Sequence, residues 1–479
     1  MGEPSAGPAV GADEWVARQA GRREYLPSWL GAAQRADERL GPWSWWAKLA
    51  FVGLVALSLP LLGIGPFQIQ VGIDTLVLAM LAVGLNICVG WTGLLDLGYI
   101  AFFGVGAYGF AVLSSSQINL HWADYFSMPV VMIAAALLGL LVGLPTRRLI
   151  GDYLAVVTLF LGQIFGDVVL NDARGVLGGT NGIVGIDPVH GIGTIGSNEG
   201  YYYLLLFLLI ATMAVLRLLE TSRTGRAWRA VREDPLAADS MTIPVTRVRI
   251  MAFMFGAMVA ALTGSIYASQ QISVFPGNFD ISVLILVYAA LILGGTGSIA
   301  GAVTGALVLN IVYDGLLRNP TYSGYIFYGL IVLTLVVKLR PWRRLAAVLG
   351  ATAVLGVIAH AAVGAVWPAA VAGGPQSGGW IASVIRDWVI VPSSPQTLGR
   401  FAFVLLVCLV IGLVQAKGWW RTALLVPTLY VASIAWEAIL ISPSEVAVTR
   451  NIMLGVIVIV IMISRPQGIF GARRVETAT

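Results

Sequence analysis

Apolar runs of about twenty residues recur along the chain, and no other feature constrains its fold as strongly. Each run fits the ~30 Å hydrocarbon core of a bilayer at a helical rise of ~1.5 Å per residue. They lie near 46–64, 70–90, 97–114, 127–147, 153–171 and 201–219, then 249–270, 280–294, 298–317 and 323–340, and finally 345–366, 399–416, 420–440 and 450–464. With 58% hydrophobic and 11% charged residues and a mean hydropathy of +0.85, the 479-residue chain is too apolar for a soluble globule. The prediction is an all-α, polytopic helical membrane protein with about fourteen transmembrane helices.

Charge placement gives the orientation. With the N-terminus inside, 24 of the 29 Lys and Arg residues fall on inner segments, and Arg174, Arg318, Arg386, Arg400 and Arg450 fall outside. That satisfies the positive-inside rule and places both termini on the cytoplasmic side. Residues 1–45 read as a polar cytoplasmic arm with no signal-peptide pattern. The net charge of +5 follows from these inner loops and does not indicate nucleic acid. Cys88 and Cys408 both fall inside apolar spans and read as packing residues rather than a disulfide.

The longest polar interruption with a regular pattern is SRTGRAWRAVREDPLAADSMTIPVTRVR, Ser222–Arg249. Arg223, Arg226, Arg229 and Arg232 recur every third residue around Ala227, Trp228, Ala230 and Val231, which predicts a short basic amphipathic helix. Pro235 disfavours helical geometry at Asp234, so this helix ends there, and a second small-residue turn follows over Leu236–Met241. The alternative to a docking element is a solvated positive loop beside the membrane.

Glycines punctuate the spans. GVGAYG (Gly104–Gly109) and GIGTIG (Gly191–Gly196) match the dinucleotide fingerprint formally, but neither follows a strand in a βαβ unit. Gly297, Gly301 and Gly305 stand four apart, a spacing that lets helix backbones approach; ligand contact is the alternative. GGTG at Gly294–Gly297 predicts a break or re-entry, tolerable only where protein or a water-filled cavity covers the freed backbone groups.

Catalytic chemistry is thin. His121, His190 and His360 have no ligand spacing, so no metal site is expected, and no nucleophile–base arrangement stands out. Lys48, Lys338 and Lys417 are not followed by Ser or Thr, so the chain carries no Walker A motif. Asp74, Asp167, Asp314 and Glu437 fall near span ends, where water is available. A mid-bilayer charge costs at least ~2.5–3.5 kcal/mol, and no acid reads as buried in the way a proton-driven carrier would need. These absences describe a transport pathway energised from elsewhere, with the basic helix docking a soluble partner. The rivals are an ion-coupled secondary transporter and a membrane anchor without transport.

Several separated blocks, in order, resemble the membrane permeases of branched-chain amino acid ABC transporters, specifically their LivM-like half. They are GLNICVGWTGLLDLGYIAFFGVGAYGFAVL (Gly84–Leu113), GDYLAVVTL (Gly151–Leu159), GGTNGI (Gly178–Ile183), GRAWRAVREDPLAADSM (Gly225–Met241), VFPGNFDISV (Val274–Val283) and LGGTGSIAGAVTGA (Leu293–Ala306). The resemblance covers about residues 70–340. It implies a multi-pass subunit of a bacterial inner (plasma) membrane importer, with a sister permease, two cytoplasmic ATP-binding subunits and an extracytoplasmic substrate-binding protein. ATP and Mg would be bound by those partners, with no cofactor and no catalytic residue in this chain. Relatives of this class also carry urea or short amides.

The resemblance marks 222–249 as the coupling loop, with Gly225, Arg226, Trp228, Arg229, Val231, Arg232, Glu233, Leu236, Ala237 and Ala238 as its contact residues. Trp228, Val231 and Leu236 are expected to seat in an apolar groove of an ATPase subunit, with Arg226, Arg229 and Glu233 as the charged face. Asn86, Thr92, Thr158 and Gln163, polar groups in apolar segments, are pathway candidates, although each could bond its own helix backbone. Gly178, Gly179, Thr180, Asn181 and Gly182 are candidates for binding-protein docking, with a flexible connector as the alternative. The chain departs from the family in two places. Thr242 stands where the family usually has Gly, and RPQGIFG (Arg465–Gly471) is separated from a similar helix ending at Arg340–Pro341. The expected organisation is an arm over 1–45, a permease core of about ten helices over 46–340, an added membrane segment over 341–448, and a last helix and tail over 449–479. The additions contribute about four helices.

Overall fold

The structure, a computed structural model, describes residues 44–58, 60, 65–117, 120–147, 152–172, 175–189, 198–316, 342–373, 383–392, 395–415 and 419–440, with short pieces between 324 and 336 and residue 455. The chain divides into two compact units, Met1–Ile64 and Gly65–Thr479. In the first, helix α1 (Ser44–Ser58) is apolar throughout most of its length.

The second unit is organised around α2 (Pro66–Asn86), which continues through a π-helical turn, Ile87–Trp91. Every residue from Thr75 to Cys88 is buried. A helix apolar on all sides can sit at the centre of a helical bundle, and here the packing of α2 against its neighbours encloses it. After the non-helical stretch 92–98 come α3 (Tyr99–Ser114), α4 (Asp124–Gly143), α5 (Asp152–Asn171) and α6 (Asn198–Thr221). Two short helices, α7 (Arg223–Glu233) and α8 (Pro235–Ser240), lead into the long α9 (Val245–Gln271). Helices α10 (Ile281–Gly294) and α11 (Ile299–Asn310) form a hairpin beside α2, while α9 packs on α2, α3 and α4.

Small residues set these distances. A side chain at Gly106 or Gly264 would run into the facing backbone of α9 or α3, and one at Gly301 would lie 2.7 Å from the carbonyl oxygen of Gly294. The glycine spacings therefore serve close helix packing. At the end away from α7, β1 (Ile183–Val184) pairs antiparallel with β2 (Ser273–Val274).

Helices α12 (Trp342–Val366), α13 (Pro395–Gln415) and α14 (Trp419–Ala435) follow, the last ending in a π-turn, Trp436–Leu440. An apolar cluster that includes Ile385, Val389, Ala402, Tyr430 and Ile434 joins them to Tyr325 and Tyr328. Among the described residues, seven helices are long and apolar enough to cross a membrane, and shorter apolar helices accompany them. The all-α polytopic fold is as expected. The span expected near 323–340 is described only in pieces and that near 450–464 only at residue 455, while the motifs Arg465–Gly471 and Gly191–Gly196 lie outside the described residues.

One expectation fails. Asp96 and Glu437 are both fully buried. Asp96 sits on the 92–98 stretch, where its Oδ1 accepts from the Gly98 N–H at 3.0 Å and its backbone carbonyl accepts from the Tyr288 hydroxyl at 2.7 Å. Glu437 accepts from the Tyr328 hydroxyl at 3.3 Å. A missing buried acid therefore no longer argues against ion coupling.

Candidate functional site

The basic segment is fixed by its own caps. Ser222 Oγ accepts from the Gly225 N–H at 3.4 Å and opens α7. Asp234, extended at φ −152° and ψ 108°, closes it as Pro235 requires. Its Oδ1 then accepts from the Leu236 and Ala237 N–H groups at 2.8 and 3.1 Å, so one residue ends α7 and caps α8. Arg226 and Arg229 reach back to the carbonyls of Thr221 and Glu220 at 2.9 and 2.8 Å, filling acceptors left open at the end of α6. Gly225 is required by that approach, because a side chain there would meet the carbonyls of Leu219 and Glu220.

The arginine spacing does not make one face. At about 3.6 residues per turn, each three-residue step lags by about 60°, so Arg232 lies on the opposite side of α7 from Arg223. The buried stripe is Gly225, Trp228 and Val231. Trp228 is 0% exposed, donates from Nε1 to the Val248 carbonyl at 2.9 Å, and stacks on Trp91 with ring centroids 5.6 Å apart. The expectation that Trp228 and Val231 face a partner's groove is corrected: both are committed to this chain's own core. Leu236 and Met241, 81% and 75% exposed, are the apolar groups offered to solvent, beside the exposed Ala237, while Ala238 is buried. Arg226, Arg229 and Glu233 are exposed as expected. Thr242, with φ 63°, occupies the left-handed conformation that explains a glycine preference at this position.

Beneath α7 lie two chain breaks. GGTG ends α10, with φ 110° at Gly295 and 93° at Gly297. Its freed groups are covered as a break within a membrane requires: the Gly297 N–H donates to Asn86 Oδ1 at 2.8 Å, and its carbonyl accepts from Trp91 Nε1 at 3.2 Å. The other break, GWTG at Gly90–Gly93, ends the π-turn with φ 70° at Gly93. Arg232 Nη1 donates to the Gly90 carbonyl between them. Sequence reading missed Trp91, Gly90 and Gly93; the recurrence of G-x-T-G at both breaks was the available signal.

The pathway candidates separate. Thr92 bonds its own helix through the Cys88 carbonyl at 2.6 Å, and Thr158 bonds Ala155 at 3.0 Å while accepting from the Leu97 N–H at 2.9 Å. Asn86 joins the two breaks. Gln163 lines a half-open cavity of about 350 Å³ with Leu159, Asp167, Phe279 and Asp280. The site therefore brings together Asn86, Trp228 and Arg232, and leaves Gln163 on the cavity at α5.

The glycine-rich turn 178–182 is built, with φ 77°, 54° and 66° at Gly178, Gly179 and Gly182. Asp172 holds it from one side, accepting from the Leu177 and Gly178 N–H groups at 2.9 and 2.7 Å. Thr180 and Asn181 are exposed at its tip, and Gly182 is buried against Val274 and Phe275.

Residues 69–337 match the family described as branched-chain amino acid transport system / permease component. The chain is 33% identical over 319 residues to the high-affinity branched-chain amino acid transport system permease protein LivM of Escherichia coli (strain K12), covering 60% of this chain and 73% of that protein. It is 33% identical over 294 residues to LivM of Salmonella typhimurium, covering 56% and 68%. It is 25% identical over 269 residues to the probable permease protein LivH of Methanocaldococcus jannaschii, covering 53% and 82%. No solved structure matches. With its helical, multi-pass architecture and a match over more than half its length, the chain belongs to the family of permease components of branched-chain amino acid transport systems.

Proposed function

We propose that this chain lines the translocation pathway of an ATP-driven importer of branched-chain amino acids. It would work in the plasma membrane with a sister permease, two cytoplasmic ATP-binding subunits that hold ATP and Mg, and an extracytoplasmic binding protein. The α7–α8 segment and both termini face the cytoplasm in this reading, supported by the 24 of 29 basic residues that fall on that side. Carrying it is one observation: Leu236 and Met241 stand exposed on a helix pair clamped from beneath by Trp228 and Arg232. A rigid element bearing an exposed apolar contact suits the transmission of force from a soluble partner.

The turn 178–182, at the opposite end, receives the binding protein in this reading, and its built geometry favours a docking surface over a flexible connector. The permease core is 46–340, flanked by the arm 1–45; the family match ending at residue 337 supports reading 341–448 as an added bundle before the last helix and tail, 449–479.

The test is uptake of radiolabelled leucine into proteoliposomes holding the complex that copurifies with this chain. ATP-dependent uptake that needs the binding protein is expected. Uptake driven by a proton or sodium gradient without ATP would overturn the importer reading, and preference for urea would overturn the substrate. A photocrosslinker at Asn181 is expected to capture the binding protein.

A further inference from the structure

Arg232 differs from the other arginines of α7. Arg223, Arg226 and Arg229 are exposed, whereas Arg232 turns under the helix, half-buried, and donates to the Gly90 carbonyl. Its bed is made of glycines from both breaks. A side chain at Gly93 would lie 3.2 Å from Arg232 Cγ, and one at Gly297 would lie 2.7 Å from its Nη1. One at Gly90 would lie 2.6 Å from the Gly297 nitrogen and meet Asn86. The same breaks are zipped to each other by Asn86 and Trp91. A guanidinium suits the position because it keeps its charge and presents its donors to the Gly90 carbonyl, in the turn that continues the negative end of α2.

We infer that Arg232 is a positioning residue that passes displacement of the α7–α8 pair to the two joined G-x-T-G breaks, and that these breaks form the moving part of the pathway at this end. The inference rests on the proposed coupling role of α7–α8. It assigns Trp228 to anchoring α7 and Arg232 to transmitting its movement.

The test compares ATP hydrolysis and leucine uptake in the same proteoliposomes, using the complex that copurifies with this chain. Arg232→Met keeps the stem against Gly93 and removes every donor; Arg232→Lys restores one charge. Arg232→Met is expected to copurify normally while leucine carried per ATP hydrolysed falls about tenfold, the scale set by losing one charge-assisted hydrogen bond, with partial recovery in Arg232→Lys. Hydrolysis and uptake falling together, or uptake unchanged, would overturn the inference. So would loss of the assembled complex in both variants, because Arg232 would then hold the fold rather than carry movement. Failure of the coupling reading itself would show separately, as wild-type chain that copurifies with no ATPase subunit.

Discussion

The two short helices of the basic segment adjoin in sequence yet solve opposite problems. Helix α7 is charged along its length but buries Gly225, Trp228 and Val231 against its own chain. Helix α8 carries fewer charges, and its apolar residue Leu236, followed by Met241, is exposed. Charge content therefore does not tell which helix meets a partner. The direction of the apolar groups does: α7 is the fixed half and α8 the offered half.

Truncating the fixed half should have the largest effect. Trp228→Ala removes a fully buried side chain and its bond to Val248, and should cost about 3–5 kcal/mol. The loss should appear in thermal melts of the purified chain, before any partner is added. A melt within a degree of wild type would place Trp228 outside the core and erase the contrast.

Truncating the offered half should leave the melt unchanged. Leu236→Ala with Met241→Ala should weaken copurification of ATPase subunits about a hundredfold or more, because two large apolar side chains at about 1.5–3 kcal/mol each contribute about 3–6 kcal/mol of burial. Full retention of those subunits would leave α8 a solvated turn.

Two smaller effects sharpen the boundary. Thr242→Gly relieves a left-handed threonine and should raise stability by about 0.5–1 kcal/mol, the ~1–2 kcal/mol strain less the extra backbone entropy of glycine. Arg229→Ala, which removes a bond to the Glu220 carbonyl at a helix end, should cost only about 0.3–1 kcal/mol. A large loss there would mean that the exposed side of α7 also carries the fold.

Much of this was legible in the sequence. Apolar run length located the helices of the described residues because the bilayer fixes helix length. Pro235 located the α7–α8 boundary, and GGTG located the break after α10. The inward turn of Trp228 was hidden because arginines at every third residue look like a face, although on a helix they spiral around it. Asp96 was illegible for a different reason. Its burial comes from Thr158 and Tyr288, residues 61 and 192 positions away from their bonded partners on the 92–98 stretch. Glu437 likewise depends on Tyr328, across 109 residues. The outer turn was half legible: its glycines announced a tight backbone, but the clamp from Asp172 emerged only in three dimensions.

The most direct measurement is thiol labelling of Leu236→Cys in a Cys408→Ser background, which leaves Cys88 as the remaining native thiol, a buried one. Rapid maleimide labelling of the chain alone, and strong protection once the ATPase subunits are bound, is the result expected of an exposed contact on a fixed support. Equal labelling in the free and assembled states would contradict it.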